Sequence, residues 1–249
     1  MTRRFHILFC LCSILFAAGC SQLLPQPEGP NIVFLFSDDH SVPDLGCYGN
    51  PSIRTPHLDR MAAEGMRFTR AYVASSQCSP SRASILTGQP PHAVAASRLH
   101  ANVRSRTQSI VELLGSHGYY TGACRKVHQQ DIQKRLDYYG PPQESLSTFF
   151  DQRPKNRPFF LWFGSSDPHR KYPGGAADPP HDPARVTVPD YLPDTPEVRK
   201  DLADYYDEIN RFDRECGEIM ALLDQHDLTD NTIVVMAGDN GLPFPRAKA

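Results

Sequence analysis

A surplus of charge of either sign, paired cysteines, internal repeats and a membrane-length apolar run are all missing from this 249-residue chain. Lys and Arg total 26 against 28 Asp and Glu, a formal net charge of −2. A chain so balanced offers no broad basic surface for nucleic acid. Of its seven cysteines, Cys10, Cys12 and Cys20 fall in the N-terminal apolar stretch. The others, Cys47, Cys78, Cys124 and Cys216, show no C-x-x-C spacing, which supports neither a zinc site nor a disulfide framework. The apolar stretch from Phe5 to Phe16 is too short to span a bilayer comfortably.

That stretch reads as an address. Arg3 and Arg4 precede it, and Ala17-Ala18-Gly19-Cys20 closes it, as in a secretory signal. A cysteine after Ala-Gly resembles a bacterial lipobox, although Ala17 stands where leucine is usual. Residues 1–20 are therefore expected to be a lipoprotein-type signal peptide with Cys20 the lipidated residue; an ordinary signal peptide is the alternative. Residues 21–30 are polar and proline-containing and read as a tether. The expected location is the bacterial cell envelope, periplasm or outer membrane, with membrane contact only through the lipid. The roughly 220 residues beyond suffice for one domain with a sizeable core.

Apolar runs in that domain alternate with helical patterns. Asn31 to Phe36, Phe159 to Phe163 and Thr232 to Met236 read as buried parallel strands, Tyr119 to Ala123 and Phe68 to Val73 as further candidates. Helices are expected after Thr55-Pro56, around Ile110 to Leu114, and after Thr195-Pro196. The last is the longest: Leu202, Tyr205, Tyr206, Ile209, Phe212, Cys216, Ile219, Met220 and Leu223 recur at helical spacing. Strands alternating with helices make an α/β layered fold. Three strands run directly into polar clusters, Ser37-Asp38-Asp39-His40, Asp167-Pro168-His169-Arg170 and Gly238-Asp239-Asn240-Gly241. Ligands bind at the carboxyl ends of strands in open α/β sheets, so these clusters are expected to converge, with Lys126 and His128.

Asp38, Asp39, Asp239 and Asn240 offer only oxygen, which suits calcium or magnesium rather than zinc. Alone, an Asp-Asp pair reads equally as a solvated loop or a helix cap. Between the strands lies Cys78-Ser79-Pro80-Ser81-Arg82, followed by Ala83-Ser84-Ile85-Leu86-Thr87-Gly88. Ser79 is expected to cap a helix, with Pro80 first in it and Gly88 just past its end. Cys78 then sits at a helix N-terminus, where N–H groups and the dipole favour an anion, and Arg82 lies one turn on. A buried cysteine in a surface helix is the bland alternative.

Taken in order, these pieces resemble the type I sulfatases: Asp38-Asp39, Gly46-Cys47-Tyr48-Gly49, Thr55-Pro56-His57-Leu58-Asp59, the Cys78 to Gly88 string, Gly118 to Thr121 leading to Lys126-Val127-His128, and Asp239-Asn240-Gly241. The resemblance runs from Asn31 to the last residue. It implies a three-layer, alkaline-phosphatase-like mixed sheet flanked by helices, with residues 31–249 forming an N-terminal catalytic domain. It implies a sulfuric ester or sulfamate hydrolase acting on sulfated glycans. Cys78 would be converted to Cα-formylglycine by a formylglycine-generating maturase. Asp38, Asp39, Asp239, Asn240 and an oxygen of modified Cys78 would hold Ca2+, or less well Mg2+. Arg82, Lys126 and His128 would serve catalysis, His169 both catalysis and sulfate binding, and Lys248 and Arg170 the substrate. Asp167 to Arg170, Val188 to Pro196 and Asn240 to Pro245 resemble the sulfamidase branch, which acts on N-sulfated glucosamine. Gly164-Ser165-Ser166 lacks that branch's histidine, the stretch from Ala93 to His100 matches poorly, and Lys248 stands in place of arginine.

Sulfatases of this type are commonly about twice as long, so the resemblance also implies a chain cut short at Ala249, with weak or no turnover by these residues alone. Two other readings stay open: a formylglycine-dependent phosphonate or phosphodiester hydrolase, and an inactive remnant that binds glycan.

Overall fold

The computed structural model describes residues 29–245 and Lys248. The expected signal peptide, most of the tether and Cys20 lie outside the described residues. Continuous apolar runs become strands: β1 (Asn31–Ser37), β2 (Tyr120–Arg125), β3 (Tyr138–Gly140), β4 (Phe159–Gly164) and β5 (Thr232–Gly238). They pair in the order β3-β2-β4-β1-β5, every pairing parallel. The mixed sheet expected from the resemblance is not found among the described residues. At least one helix lies between each strand and the next, the kind of crossover that parallel pairing requires. No strand forms from Phe68 to Val73; this stretch is irregular, with Phe68 and Tyr72 exposed. Apolar content alone does not make a strand, and this stretch makes no ladder with the sheet.

The helices are α1 (Pro56–Glu64), α2 (Cys78–Thr87), α3 (Ile110–Ser116), α4 (Gln130–Gln133), α5 (Ser147–Gln152) and α6 (Pro196–Gln225). Thr195 caps α6 by accepting from the Val198 N–H, and Pro196 fits its first turn. Ser109 and Glu112 form a capping box at α3.

Side chains alternate across the strands and split the core into two layers. Val33, Leu35, Leu161 and Phe163 pack on one face against Phe212, Cys216, Ile219 and Leu223 of α6 and Leu58 of α1. Phe36, Phe160 and Trp162 pack on the other face against Ala83 and Leu86 of α2 and Val111 of α3. The result is a helix–sheet–helix sandwich, with each fully buried Leu or Phe contributing about 1.5–3 kcal/mol. Coverage fails at one place. β5 pairs only with β1, and Ile233 and Val235 are 50% and 38% exposed. A cavity of about 940 Å³ opens there, lined by Phe34, Phe36, Ile85 and Val235 together with Phe68 and Tyr72.

Candidate active site and metal centre

Register brings the polar tails together. Phe36 of β1 lies opposite Gly164 of β4, and Ser37 opposite Gly238 of β5, so three strands end level. Pairing continues past their ends: Ser165 N–H donates to Phe36, Asp38 N–H to Asp167 and Asp239 N–H to Ser37. Asp39 then turns through a left-handed φ of 65° and its N–H donates to Asp239 Oδ1. Oxygens of Asp38, Asp39 and Asp239 consequently lie within 4.8 Å of one another, all three side chains buried. Asn240 is buried beside them and donates to Asp39 Oδ1 at 2.7 Å.

Three cations face these carboxylates. Arg82 Nε lies 2.7 Å from Asp239 Oδ2, with both side chains wholly buried. Lys126 Nζ pairs with Asp38 Oδ2, and Lys248 Nζ lies 2.6 Å from Asp39 Oδ1. His169 Nε2 stands 3.8 Å from Asp39 Oδ2. Arg82 also donates from Nη1 to the Lys126 carbonyl at 2.7 Å. That carbonyl accepts a second bond from Trp162 Nε1 and runs so close to Gly164 that a Cβ there would collide with it. The glycine ending β4 therefore permits the seating of Lys126.

Cys78 is the first residue of α2, with extended Gln77 as N-cap. The helix thus begins two residues before the expected start, and Ser79 is not its cap. Gln77 supplies the carbonyl that the Ser81 N–H needs. Pro80 falls third, where its missing N–H is one of the groups a helix start leaves unpaired anyway. Gly88 ends the helix in the left-handed region at φ 65°, as expected. Burial and the nearby Asp239 carboxylate push the Cys78 thiol up, while Lys248, the Ser79 N–H and Arg82 pull it back. Unmodified, this sulfur is a protonated thiol at neutral pH. Burial, then the charges of Lys126, Arg82 and His100, lower the pKa of His128 to about 3, so its ring is neutral.

The cluster passes a chemical test for a hard cation. Its donors are all oxygen, and Asp38 Oδ1 and Asn240 Oδ1 are buried with no hydrogen-bond partner. Arg170 is not drawn in by any hydrogen bond to the cluster. Its guanidinium is taken bidentately by Asp201 of α6 and packs over Tyr172 and Phe244. Supporting residues escaped the sequence reading. Tyr205 donates to the Asp39 carbonyl at 2.9 Å, Glu215 accepts from Ser165 and pairs with Arg125, and Arg211 grips Asp167 at 2.6 and 2.5 Å. Tyr205 was visible only as a core position and Glu215 as one more charge on a long helix.

A helix–sheet–helix sandwich whose parallel strands end in a buried acidic cluster, with a cysteine at a helix start near Asp239, defines an α/β fold with its candidate site at the strand ends. The Sulfatase family model matches residues 30–248, and the chain belongs to that family. It is 30% identical to human N-sulphoglucosamine sulphohydrolase over 95% of this chain and 55% of that protein. It is 28% identical to an ulvan-active sulfatase of Formosa agariphila over 90% of this chain and 46% of the relative. The chain thus spans about half the length of these curated relatives. The solved structure of BT4656 with its substrate D-glucosamine-2-N,6-O-disulfate superposes with a TM-score of 0.70 at 21% identity, covering 86% of this chain and 66% of that one. At that identity the likeness establishes the fold.

Proposed function

We propose that the protein, with Cys78 matured, hydrolyses sulfate esters or sulfamates on sulfated saccharides. The observation that carries this reading is the convergence of Asp38, Asp39 and Asp239, within 4.8 Å, with Arg82, Lys126 and Lys248 beside Cys78 at a helix start. The names of the human and Formosa relatives, and the disulfated sugar bound by BT4656, support a sulfated saccharide as substrate. N-Sulfated glucosamine is the substrate proposed first.

Asp38, Asp39, Asp239 and Asn240 would hold a divalent cation, Ca2+ in preference to Mg2+, which when bound draws charge from a sulfuryl oxygen. As formylglycine, made by a maturase, Cys78 supplies a hydrated aldehyde, one hydroxyl acting as nucleophile while the other allows sulfate to leave. The chain's own residues do the rest. Arg82, pinned to Asp239 and the Lys126 carbonyl, fixes positive charge beneath position 78. Lys126 and Lys248 place ammonium groups where the sulfuryl group gathers negative charge. His128, neutral and with a buried unpartnered Nε2, can take a proton from the hydrate. His169, half-buried at the rim, grips sulfate and is placed to protonate the departing group. Export as a lipoprotein lipidated at Cys20 belongs to the same proposal.

The test is to produce the protein with a formylglycine-generating maturase and verify position 78 by peptide mass spectrometry. Release of sulfate from N-sulfated glucosamine, O-sulfated glucosamine and of phosphate from a phosphate ester is then measured. Sulfate release above a Cys78→Ala control is expected. No release from any sulfated sugar by fully modified protein overturns the reading in favour of a binding-only role. Faster phosphate release overturns it in favour of a phosphoester hydrolase.

A further inference from the structure

Next to the acidic cluster lies a second, smaller cavity of about 260 Å³. Arg125, Lys126, His100, His128, Asn102 and Gln133 are among its lining residues, and none of the lining residues carries a carboxylate. Lys126 and His128 belong also to the candidate active site, so the two spaces share a wall. The cavity is smaller than the roughly 300–1,000 Å³ usual for drug-sized ligands, which leaves room for one substituent or one sugar.

Its polar groups are cations, imidazoles and amides. The His100 and His128 rings stand 5.5 Å apart. Arg125 is paired through Nη1 with Glu215, and its carbonyl accepts from Tyr139 Oη at 3.0 Å. Arg125 Nε nevertheless is buried with no acceptor. A buried guanidinium N–H without an acceptor is costly and calls for an anion. The wall is also held in an unfavourable shape. His100, Arg125 and His128 all adopt left-handed φ values, 64°, 64° and 65°, without being glycine. Such conformations cost about 1 kcal/mol or more each and persist where surrounding structure enforces them.

We propose that this cavity is a subsite for a second anionic group, sulfate or carboxylate, carried by the sugar whose sulfate reaches position 78 or by its neighbour. The proposal rests on the saccharide reading above and deepens it: the preferred ligand carries two negative charges, one in each space.

Calorimetry on the Cys78→Ala protein, which cannot turn over, tests this with three ligands. These are glucosamine N-sulfate, glucosamine 2-N,6-O-disulfate, and a disaccharide of N-sulfated glucosamine and a uronic acid. At least one doubly anionic ligand should bind about tenfold tighter than the singly charged one, since a charge-assisted hydrogen bond is gained. Preference for the disulfate assigns the subsite to a sulfate on the same sugar, and preference for the disaccharide assigns it to a neighbouring carboxylate. His100→Ala or Gln133→Ala, added to the same background, should erase most of the preference. His100 is exposed, so its truncation should not disturb folding. Equal affinity for all three ligands, or full preference retained in both variants, overturns the subsite. Sulfate release by the matured protein is read separately: a binding preference without release removes the hydrolase reading alone, and release without preference removes the subsite alone.

Discussion

β4 and β5 lie on opposite sides of β1 and end at the same level, yet they are held by different forces. All six residues of β4 are buried, sandwiched between α6 on one face and α2 and α3 on the other. β5 is an edge strand with Ile233 and Val235 open on one face. The tail of β5, however, is as buried as that of β4: Asp239 has no exposure and Asn240 very little. On the β4 side packing holds the strand and Arg211 grips Asp167 in its tail, whereas on the β5 side ion pairs act without that packing, Arg82 with Asp239 and Lys248 with Asp39. Deep burial of a functional group therefore does not require a buried strand beneath it. At Asp239 a partner of opposite charge serves in its place.

The comparison breaks in measurable ways. Phe163→Ala leaves a hole in the middle of the sheet and should cost about 4 kcal/mol, measured by urea unfolding. Arg82→Ala leaves Asp239 buried without its counter-charge and should cost about 3 kcal/mol in metal-free protein. At equal divalent cation concentration, the gap between Arg82→Ala and wild type should narrow while the gap for Phe163→Ala stays the same; equal narrowing in both would erase the distinction between packing and charge.

Asp44 sharpens the comparison through pH. It lies beside the cluster, where the Tyr205 hydroxyl that donates to the Asp39 carbonyl at 2.9 Å also stands 3.3 Å from its carboxylate. Burial, only partly opposed by the Tyr205 bond, raises its pKa to about 7 from 3.8. The folded state then keeps a proton that the unfolded state has lost, so this group's contribution falls as pH rises from about 4 to 7 and is level outside that window. Asp44→Asn should remove the slope, gaining on wild type by at most about 1.4 kcal/mol per pH unit across the window. Urea midpoints that shift in parallel from pH 4.5 to 7 would contradict this. The smallest effect belongs to the open face of β5. Val235→Lys should change stability by less than about 0.5 kcal/mol, while light scattering should show less self-association, as a charged edge discourages strand addition.

Much of this was legible in the sequence, for identifiable reasons. β1, β4 and β5 are continuous apolar runs because parallel strands bury both faces, and each runs straight into its polar tail. Eight of the nine residues read as the apolar stripe of α6 are buried, Met220 being partly open. The convergence of Asp38, Asp39, Asp239 and Asn240 followed from strand ends alone. What failed to show depends on partners that a linear pattern does not name. Phe68 to Val73 has strand-like composition but pairs with no strand of the sheet. Arg170 adjoins the site in sequence, but Asp201 from α6 takes its guanidinium. Glu215, Ser165 and Tyr205 support the site through pairings more than 45 residues apart.

Strand ends bring together, near Cys78, an all-oxygen set of side chains that could hold a cation. Thermal unfolding of wild type, Asp39→Asn and Asp239→Asn with increasing Ca2+ tests it most directly. At free calcium one hundred times the dissociation constant, wild type should gain about 2.7 kcal/mol, seen as a rise in Tm, with little or none in either variant. A wild-type Tm indifferent to calcium, or an equal rise in all three proteins, would contradict the claim.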